Sequence, residues 1–200
     1  SLTKNLPVAS GIGGGSADAA AVLRGLQQLF GPVEERGRFE EIALQLGADV
    51  PVCCLQKACR MSGIGQQLAV LGDGPSFAAV MVNPGIAVST PEVFAALGLK
   101  PGTPAMSGLP RLPDATTRKD WIGWLAECRN DLQAPAISLV PEVDVVLNAI
   151  GAAPGCLLHR MSGSGATCFG VFEDQRSAQR AAGDLSALNE NWWVRPTTIA

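Results

Sequence analysis

Four glycines fall within five residues near the start of the chain, in the segment PVASGIGGGSADAAA that covers residues 7–21. Glycine has no Cβ, so it lets several backbone amides converge on one anion and tolerates positive φ angles. The alanine-rich stretch that follows predicts a helix, whose first amides lack acceptors inside the helix and whose dipole is positive at that end. The segment therefore predicts a cradle for phosphate groups. A plain tight turn stays the alternative.

Two polar side chains extend this chemistry at the start of the predicted helix. Ser16 can cap the helix, or its hydroxyl can bind a phosphate or Mg²⁺. Asp18 falls in the predicted first turn, where a carboxylate is favourable, and it could equally approach a magnesium ion. The segment does not match the Walker pattern, because no Gly-Lys-Ser/Thr ends it, and it matches the dinucleotide-binding pattern poorly.

Composition narrows the class of protein. The chain has 200 residues, a net charge of -3 and 47% hydrophobic residues, which suits one large domain or two small ones with a packed core. It has no apolar run long enough to span a membrane and no basic block that would favour nucleic-acid binding. We therefore expect a protein that binds neither a membrane nor a nucleic acid.

The six cysteines do not form a recognisable metal or disulfide pattern. None lies in a Cys-x-x-Cys pair, and His159 is the only histidine of the sequence. We expect no zinc site, and we interpret the cysteines as buried free thiols in a reducing cytoplasm. His159 is predicted to have a structural role.

The elements that position these residues alternate between helices and strands. Apolar spacing and turn residues predict helices over 16–30, 34–46, 91–96, 119–125, 140–150 and 175–188. They predict strands over 58–61, 67–71, 78–82, 166–172 and 192–195. A second glycine turn, at Ser162-Gly163-Ser164-Gly165, lies between residues 157–161, to which no type is assigned, and the predicted strand over 166–172. The mixture predicts an α+β fold with a boundary near residue 75.

The pattern Pro-x-x-x-Gly-Ile-Gly-Gly-Gly-Ser-x-x-Ala resembles the second motif of the GHMP kinase superfamily. Five further segments resemble this family, in order along the chain: Leu46-Gly47-Ala48-Asp49-Val50-Pro51, Ser89-Thr90-Pro91-Glu92-Val93-Phe94, Asn130-Asp131-Leu132, Pro141-Glu142-Val143 and Ser162-Gly163-Ser164-Gly165-Ala166-Thr167-Cys168-Phe169. The resemblance covers almost the whole chain, and the ordered set is more specific than any single motif.

The resemblance implies the two-domain GHMP kinase fold. Residues 1–75 would be the C-terminal part of an ATP-binding, ribosomal-S5-like N-terminal domain, which would be incomplete. Residues 76–200 would be a ferredoxin-like α/β sandwich domain. The sequence begins without Met, so we expect a preceding segment that supplies the rest of the first domain and the lysine that the family pairs with its catalytic aspartate.

The resemblance also implies a function and a site. It implies an ATP- and Mg²⁺-dependent kinase of the non-mevalonate isoprenoid pathway, which phosphorylates a cytidine diphosphate-linked polyol. Asp49 would be the catalytic base, and substrate would meet Thr90, Gly163, Ser164 and Gly165. ATP would be bound by Pro7, Val8, Ala9, Ser10, Gly11, Ile12, Gly13, Gly14, Gly15, Ser16 and Ala17, with Ser16 also a candidate Mg²⁺ ligand.

Local sequence leaves other interpretations of these residues open. From the residue types alone, a structural carboxylate at a helix end or turn is a better interpretation of Asp49 than a catalytic base. The apolar residues around Asp49 predict that it is buried. Thr90 could be the N-cap before Pro91, and the turn at residues 162–165 could be a simple hairpin. Another GHMP kinase with a different acceptor, or a non-catalytic nucleotide-binding module, stays the alternative function.

Overall fold

A computed structural model describes residues 3, 5–7, 10–33, 37–72, 74–99, 108–111 and 117–199. The chain forms two compact units. We call Gly13–Gly74 the helical unit, and Pro75–Ala200 together with Ser1–Ile12 the sheet unit. The chain therefore passes from one unit to the other within the first glycine segment, between Ile12 and Gly13. Among the described residues, no helix combines the length and apolar character needed to cross a bilayer.

In its described part, the helical unit contains three helices and one hairpin. The helices are α1 (Gly14–Phe30), α2 (Arg38–Leu46) and α3 (Val50–Leu55). Strands β1 (Cys59–Ser62) and β2 (Gln67–Val70) pair antiparallel. The sequence assigned no type to the apolar run at residues 50–55; it is helical, with Pro51 in the first turn, where a missing N–H costs nothing.

The core of the helical unit is small. Its buried residues are Ala20, Ala43 and Val50, one from each helix. The apolar stripe that the sequence predicts on α1 is mostly exposed, at Val22, Leu26, Leu29 and Phe30. The exposed part of the stripe therefore contributes nothing to the core of this unit, against which α1 packs through Ala19, Ala20 and Leu23.

The sheet unit is built on a four-stranded antiparallel sheet. In chain order its elements are β3 (Phe77–Asn83), α4 (Thr90–Ala96), α5 (Arg118–Glu127), α6 (Gln133–Leu139), α7 (Glu142–Ala152), β4 (Cys156–Met161), β5 (Cys168–Phe172), α8 (Gln175–Leu188) and β6 (Trp193–Ile199). The strand order is β4-β5-β3-β6. This is the order of a ferredoxin-like fold, as the sequence predicts for this region.

Two helices close the core of the sheet unit. The continuous apolar run of β3 lies at the centre of the sheet and is almost wholly buried. Four residues on one face of α7 are buried, Val143, Val146, Leu147 and Ile150, and α8 buries Ala178, Ala181, Ala182 and Leu185. Strand β6 is longer than predicted and includes Pro196, which is tolerated because β6 is an edge strand and needs no hydrogen bond on its outer side.

Candidate functional site

The first glycine segment leads into an uncapped helix N-terminus. Gly13 has a φ of 67° as the N-cap residue of α1, and no side chain caps the helix. The amide of Ala17 donates to the carbonyl of Gly13 at 2.8 Å, which leaves the amides of Gly14, Gly15 and Ser16 without acceptors inside the helix. A Cβ added at Gly13 or Gly15 would meet nothing within 4 Å. Several amide donors can therefore face an anion here without obstruction.

The positions of Ser16 and Asp18 differ from the sequence prediction. Helix α1 begins at Gly14, two residues earlier than predicted, so Ser16 lies inside the first turn and is not the cap. The same shift places Asp18 beyond the first turn, which contains no acidic residue. The two glycines can open the helix because the amides of its first turn need no acceptor inside it.

Asp49 is the N-cap residue of α3. Its φ and ψ are -90° and -7°, its side chain makes no capping bond, and its carbonyl accepts a hydrogen bond from the amide of Cys53 at 3.2 Å. The predicted burial is wrong: the side chain is exposed, and the next residue, Val50, occupies the core instead. A carboxylate in this position can meet a ligand or a proton donor from outside the unit.

The backbone around Asp49 is held from two sides within the helical unit. Gly65, in the turn between β1 and β2, is buried with a φ of 108°, and a Cβ there would lie 2.3 Å from the carbonyl oxygen of Ala48. On the other side, Nη1 of Arg24 donates to the carbonyl of Cys53 at 2.9 Å. That carbonyl belongs to the last turn of α3, where carbonyls lack helical donors. Arg24 thus joins the helix that follows the glycine segment to the helix that follows Asp49.

The sheet unit brings the two glycine segments into backbone contact. The hydroxyl of Ser162 donates to the carbonyl of Gly11 at 2.9 Å, and the amide of Thr167 donates to the carbonyl of Ser10 at 3.2 Å. A Cβ on Gly11 would lie 2.5 Å from the oxygen of Ser162 and 2.7 Å from that of Gly165. A Cβ on Gly163 would lie 2.8 Å from the oxygen of Gly11. Only glycine allows this crossing.

Thr90 meets the second glycine turn. The hydroxyl oxygens of Thr90 and Ser164 are 2.7 Å apart, with Thr90 exposed and Ser164 buried. Thr90 is the first residue of α4 and Ser89 is the N-cap residue, so the alternative that Thr90 caps this helix is wrong. The four residues predicted to bind substrate, Thr90, Gly163, Ser164 and Gly165, thus lie together in the sheet unit.

The remaining predicted ATP-binding residues are placed as follows. Pro7 accepts a hydrogen bond through its carbonyl from the hydroxyl of Ser10 at 2.8 Å. Ile12 is half-buried and ends the segment that belongs to the sheet unit, while Ala17 is exposed in α1. Val8 and Ala9 lie outside the described residues.

The cysteines are free but, with one exception, not buried. Cys168 is buried, which raises the pKa of its thiol to about 12. The other five are half-buried, so the prediction of buried thiols is wrong for them. Three of the five, Cys53, Cys54 and Cys156, pack at the edge of a core. The described residues contain no group of three or more His, Cys, Asp or Glu that could hold a metal ion. His159 has its ring against Gly151 of α7, where a Cβ would lie 2.7 Å from Cε1.

Two asparagines were missed as site residues. Asn83, at the end of β3, is buried and donates through Nδ2 to the hydroxyl of Thr167 at 2.9 Å. Asn130 donates through the same atom to two carbonyls at the second glycine turn. The sequence signal for Asn130 was its place in the Asn130-Asp131-Leu132 segment; nothing local distinguished Asn83.

Comparisons with known proteins agree along the whole chain. Residues 1–57 match the GHMP kinases N-terminal domain and residues 113–191 match the GHMP kinases C-terminal model. A protein of Cereibacter sphaeroides named 4-diphosphocytidyl-2-C-methyl-D-erythritol kinase is 49% identical over 201 residues, which cover 100% of this chain and 70% of that protein. A protein of the same name from Sinorhizobium medicae is 50% identical, over 100% of this chain and 64% of its own length.

Two solved structures are similar. A crystal structure of 4-(cytidine 5'-diphospho)-2C-methyl-D-erythritol kinase superposes with a TM-score of 0.76 and 35% identity, over 98% of this chain and 69% of the other. Homoserine kinase from Cytophaga hutchinsonii has a TM-score of 0.67 at 18% identity, over 100% of this chain and 68% of that chain, which shows the fold alone. This chain therefore spans roughly two thirds of the length of its relatives, and the predicted α+β fold is confirmed. The chain belongs to the GHMP kinase family.

Proposed function

We propose that this chain acts in an ATP-dependent kinase that phosphorylates the 2-hydroxyl of 4-diphosphocytidyl-2-C-methyl-D-erythritol, in the non-mevalonate route to isoprenoids. One observation carries the proposal: an uncapped helix N-terminus follows a glycine segment, in a chain about half identical over its whole length to kinases named for this substrate. The same identity favours this acceptor over those of other GHMP kinases.

The first glycine segment is proposed to bind the triphosphate of ATP. The amides of Gly14, Gly15 and Ser16 lack helical acceptors, and charge-assisted hydrogen bonds from such amides hold phosphate oxygens well. The proposed ATP site keeps every residue that the sequence predicts, Pro7, Val8, Ala9, Ser10, Gly11, Ile12, Gly13, Gly14, Gly15, Ser16 and Ala17.

Ser16 is proposed as the side chain that contributes to Mg²⁺ binding. Its hydroxyl lies in the uncapped first turn, and hydroxyl and phosphate oxygens are the hard ligands that Mg²⁺ prefers. The residues present therefore fit a magnesium ion held mainly through the nucleotide. When bound, such an ion neutralises negative charge on the transferred phosphoryl group.

Asp49 is proposed as the base. Its exposed carboxylate accepts the proton of the acceptor hydroxyl while the hydroxyl oxygen bonds to the γ-phosphorus and the bond to the leaving ADP breaks. Support comes from the rigid backbone on both sides of it: Gly65 contacts Ala48, and α3 begins immediately after Asp49. A base held this way loses little entropy when the acceptor arrives.

The acceptor is proposed to bind the sheet unit at Thr90, Gly163, Ser164 and Gly165. The two hydroxyls share one hydrogen bond, which leaves one hydroxyl hydrogen for a ligand oxygen. The turn itself offers backbone groups that no Cβ shields at its two glycines.

We also propose the domain and cell assignments that the sequence indicated. Residues 1–75 belong to the ATP-binding domain and residues 76–200 to the C-terminal domain, which agrees with family models that match on either side of residue 75. The compact units differ from this division at the start of the chain, because Ser1–Ile12 groups with Pro75–Ala200. Six cysteines without a disulfide agree with a reducing compartment, and we assign the enzyme to the cytoplasm.

The Asp49→Asn variant of the complete gene product tests the proposed mechanism. The amide cannot take a proton at neutral pH, so kcat should fall about 10²–10⁴-fold while ATP affinity by titration calorimetry stays within about twofold. Asp184→Asn, on the exposed face of α8, is the matched control and should keep wild-type turnover. Turnover that survives in Asp49→Asn would exclude Asp49 as the base.

A panel of acceptors tests the substrate. The wild-type protein should phosphorylate the cytidyl polyol and leave mevalonate and homoserine unchanged. Turnover of either of those alone would replace the proposed acceptor with another GHMP substrate. ATP binding without turnover of any acceptor would favour the non-catalytic module.

A further inference from the structure

Asn130 uses every polar atom of its side chain. Nδ2 donates to the carbonyl of Met161 at 2.9 Å and to the carbonyl of Gly163 at 2.8 Å, and Oδ1 accepts from the amide of Leu132 at 3.0 Å. The amide group has two donor hydrogens, and each has an acceptor. The residue is half-buried in the segment between α5 and α6; its bonds to Met161 and Leu132 are partly shielded from water, and its bond to Gly163 is exposed.

Gln133 completes the attachment of this segment to the sheet. Its Oε1 accepts from the amide of Met161 at 3.0 Å. Met161 is the last residue of β4, which is an edge strand among the described parts of the chain and pairs only with β5. The side chains of Asn130 and Gln133 therefore pair with both peptide groups of Met161, as a neighbouring strand would, and fix the point where the second glycine turn begins.

The second bond of Asn130 reaches into the turn itself. Gly163 and Gly165 have φ angles of 54° and 90°, so the turn depends on conformations that other residues rarely adopt. Its own hydrogen bond, from the amide of Gly165 to the carbonyl of Ser162, is 3.0 Å long. Rotation of the peptide after Gly163 would move Ser164 away from Thr90, so the Asn130 bond to Gly163 restrains that hydroxyl pair.

We propose that Asn130 is a positioning residue for the acceptor: it acts through the carbonyl of Gly163 and holds the turn that carries Ser164. This inference rests on the proposed function, which assigns the acceptor to that turn. The chemistry requires an amide, because only a group with two donors on one atom can bridge two carbonyls while its oxygen caps Leu132. A carboxylate of the same shape has no donor and repels both carbonyls.

The test uses Asn130→Asp in the complete gene product, with acceptor and ATP varied separately between about pH 5.5 and 8.5. We expect the KM for the cytidyl polyol to rise about 10–100-fold at pH 8, as a misplaced contact would cause, with the KM for ATP within about twofold. As the pH falls, protonation gives the carboxyl of Asn130→Asp one donor, so the ratio of its acceptor KM to the wild-type value should decrease. In Asn130→Ala the acceptor KM should also rise, but its ratio to the wild-type value should not change with pH.

Two further measurements separate positioning from general stability. Asn191→Asp, at an exposed position in the turn before β6, is the isosteric control and should match wild type at every pH. Hydrogen exchange on Asn130→Ser, the smaller change, should accelerate in peptides that contain residues 162–165 and stay unchanged in α8. An unchanged acceptor KM in folded Asn130→Asp, or exchange that rises across the whole sheet unit, would overturn the proposal.

The exchange measurement also separates this inference from the proposed function, since it needs no substrate. Wild-type protein that never turns over the cytidyl polyol would contradict the proposed function. Faster exchange confined to the turn in Asn130→Ser would then still show that Asn130 holds it.

Discussion

The glycines at the start of this chain divide into two kinds, and the difference lies in their surroundings. Gly11 is crowded: a Cβ there would meet three backbone atoms of Ser162 and Gly165 at less than 3 Å. Gly13 and Gly15, only two and four residues later, would meet nothing within 4 Å. The fold itself requires glycine at the crowded position. At Gly15 it does not, because that residue has neither a neighbour nor a positive φ angle.

The comparison separates glycines that serve packing from glycines that serve a ligand. Replacing a crowded glycine should lower the free energy of unfolding of the protein, whether or not a ligand binds nearby. Replacing an open helical glycine should raise that free energy. If a ligand occupies the open space, the same replacement should also weaken ligand binding.

Gly11→Ala should be the most destabilising of these changes. The added Cβ would meet rigid backbone on three sides, and the φ of 72° is unfavourable for alanine. We expect the free energy of unfolding to fall by about 3–4 kcal/mol, the range of a severe backbone clash. Urea unfolding followed by tryptophan fluorescence measures this, since all four tryptophans lie in the sheet unit. Gly183→Ala, at an open position of α8, is the control and should not destabilise. Equal midpoints for the two variants would contradict the packing role.

Gly65→Ala tests a crowded glycine in the helical unit. Its Cβ would lie 2.3 Å from the oxygen of Ala48, and we expect a loss of about 2–3 kcal/mol from the φ of 108° and the clash. Because Ala48 precedes Asp49, kcat should fall as well. Gly63→Ala is a close control in the same turn, with a φ of 68°, since its Cβ would meet only the flexible end of Gln66. It should cost about 1 kcal/mol and leave kcat unchanged. An equal loss of kcat in the Gly65→Ala and Gly63→Ala variants would show that the contact of Gly65 with Ala48 does not position Asp49.

The features predicted best from the sequence are those that depend on local residue patterns, such as the ends of a helix. Helix α8 begins and ends where its apolar spacing indicates, because Asp174 caps it: Oδ1 accepts from the amide of Ser177 at 2.7 Å. The family and the fold class that it implies were also predicted correctly, from the ordered set of motifs rather than from any one of them.

The errors and omissions concern long-range packing. The contact between Gly11 and Ser162 joins residues 151 positions apart, and no periodicity reports such a crossing. The exposure of Asp49 was missed because an apolar neighbour can face the core while the N-cap residue faces outward. The start of α1 was missed because the glycines that open it resemble a loop by composition.

Gly15→Ala should give the smallest change in stability and the clearest sign of function. The position is helical and open, so alanine should raise the free energy of unfolding by about 0.5–1 kcal/mol. If the amides at this end of α1 hold the triphosphate, the new methyl group stands where the phosphates approach, and the Kd for ATP should rise at least about tenfold.

Gly25→Ala is the matched control for that change, since Gly25 lies in the same helix and is equally open. It should give the same gain in stability with an unchanged Kd for ATP, because it lies more than two turns from the helix N-terminus. Calorimetric titration and thermal unfolding of both variants measure the two quantities independently. Equal ATP affinity in the two variants would mean that the open glycines of α1 do not face the nucleotide and serve no ligand.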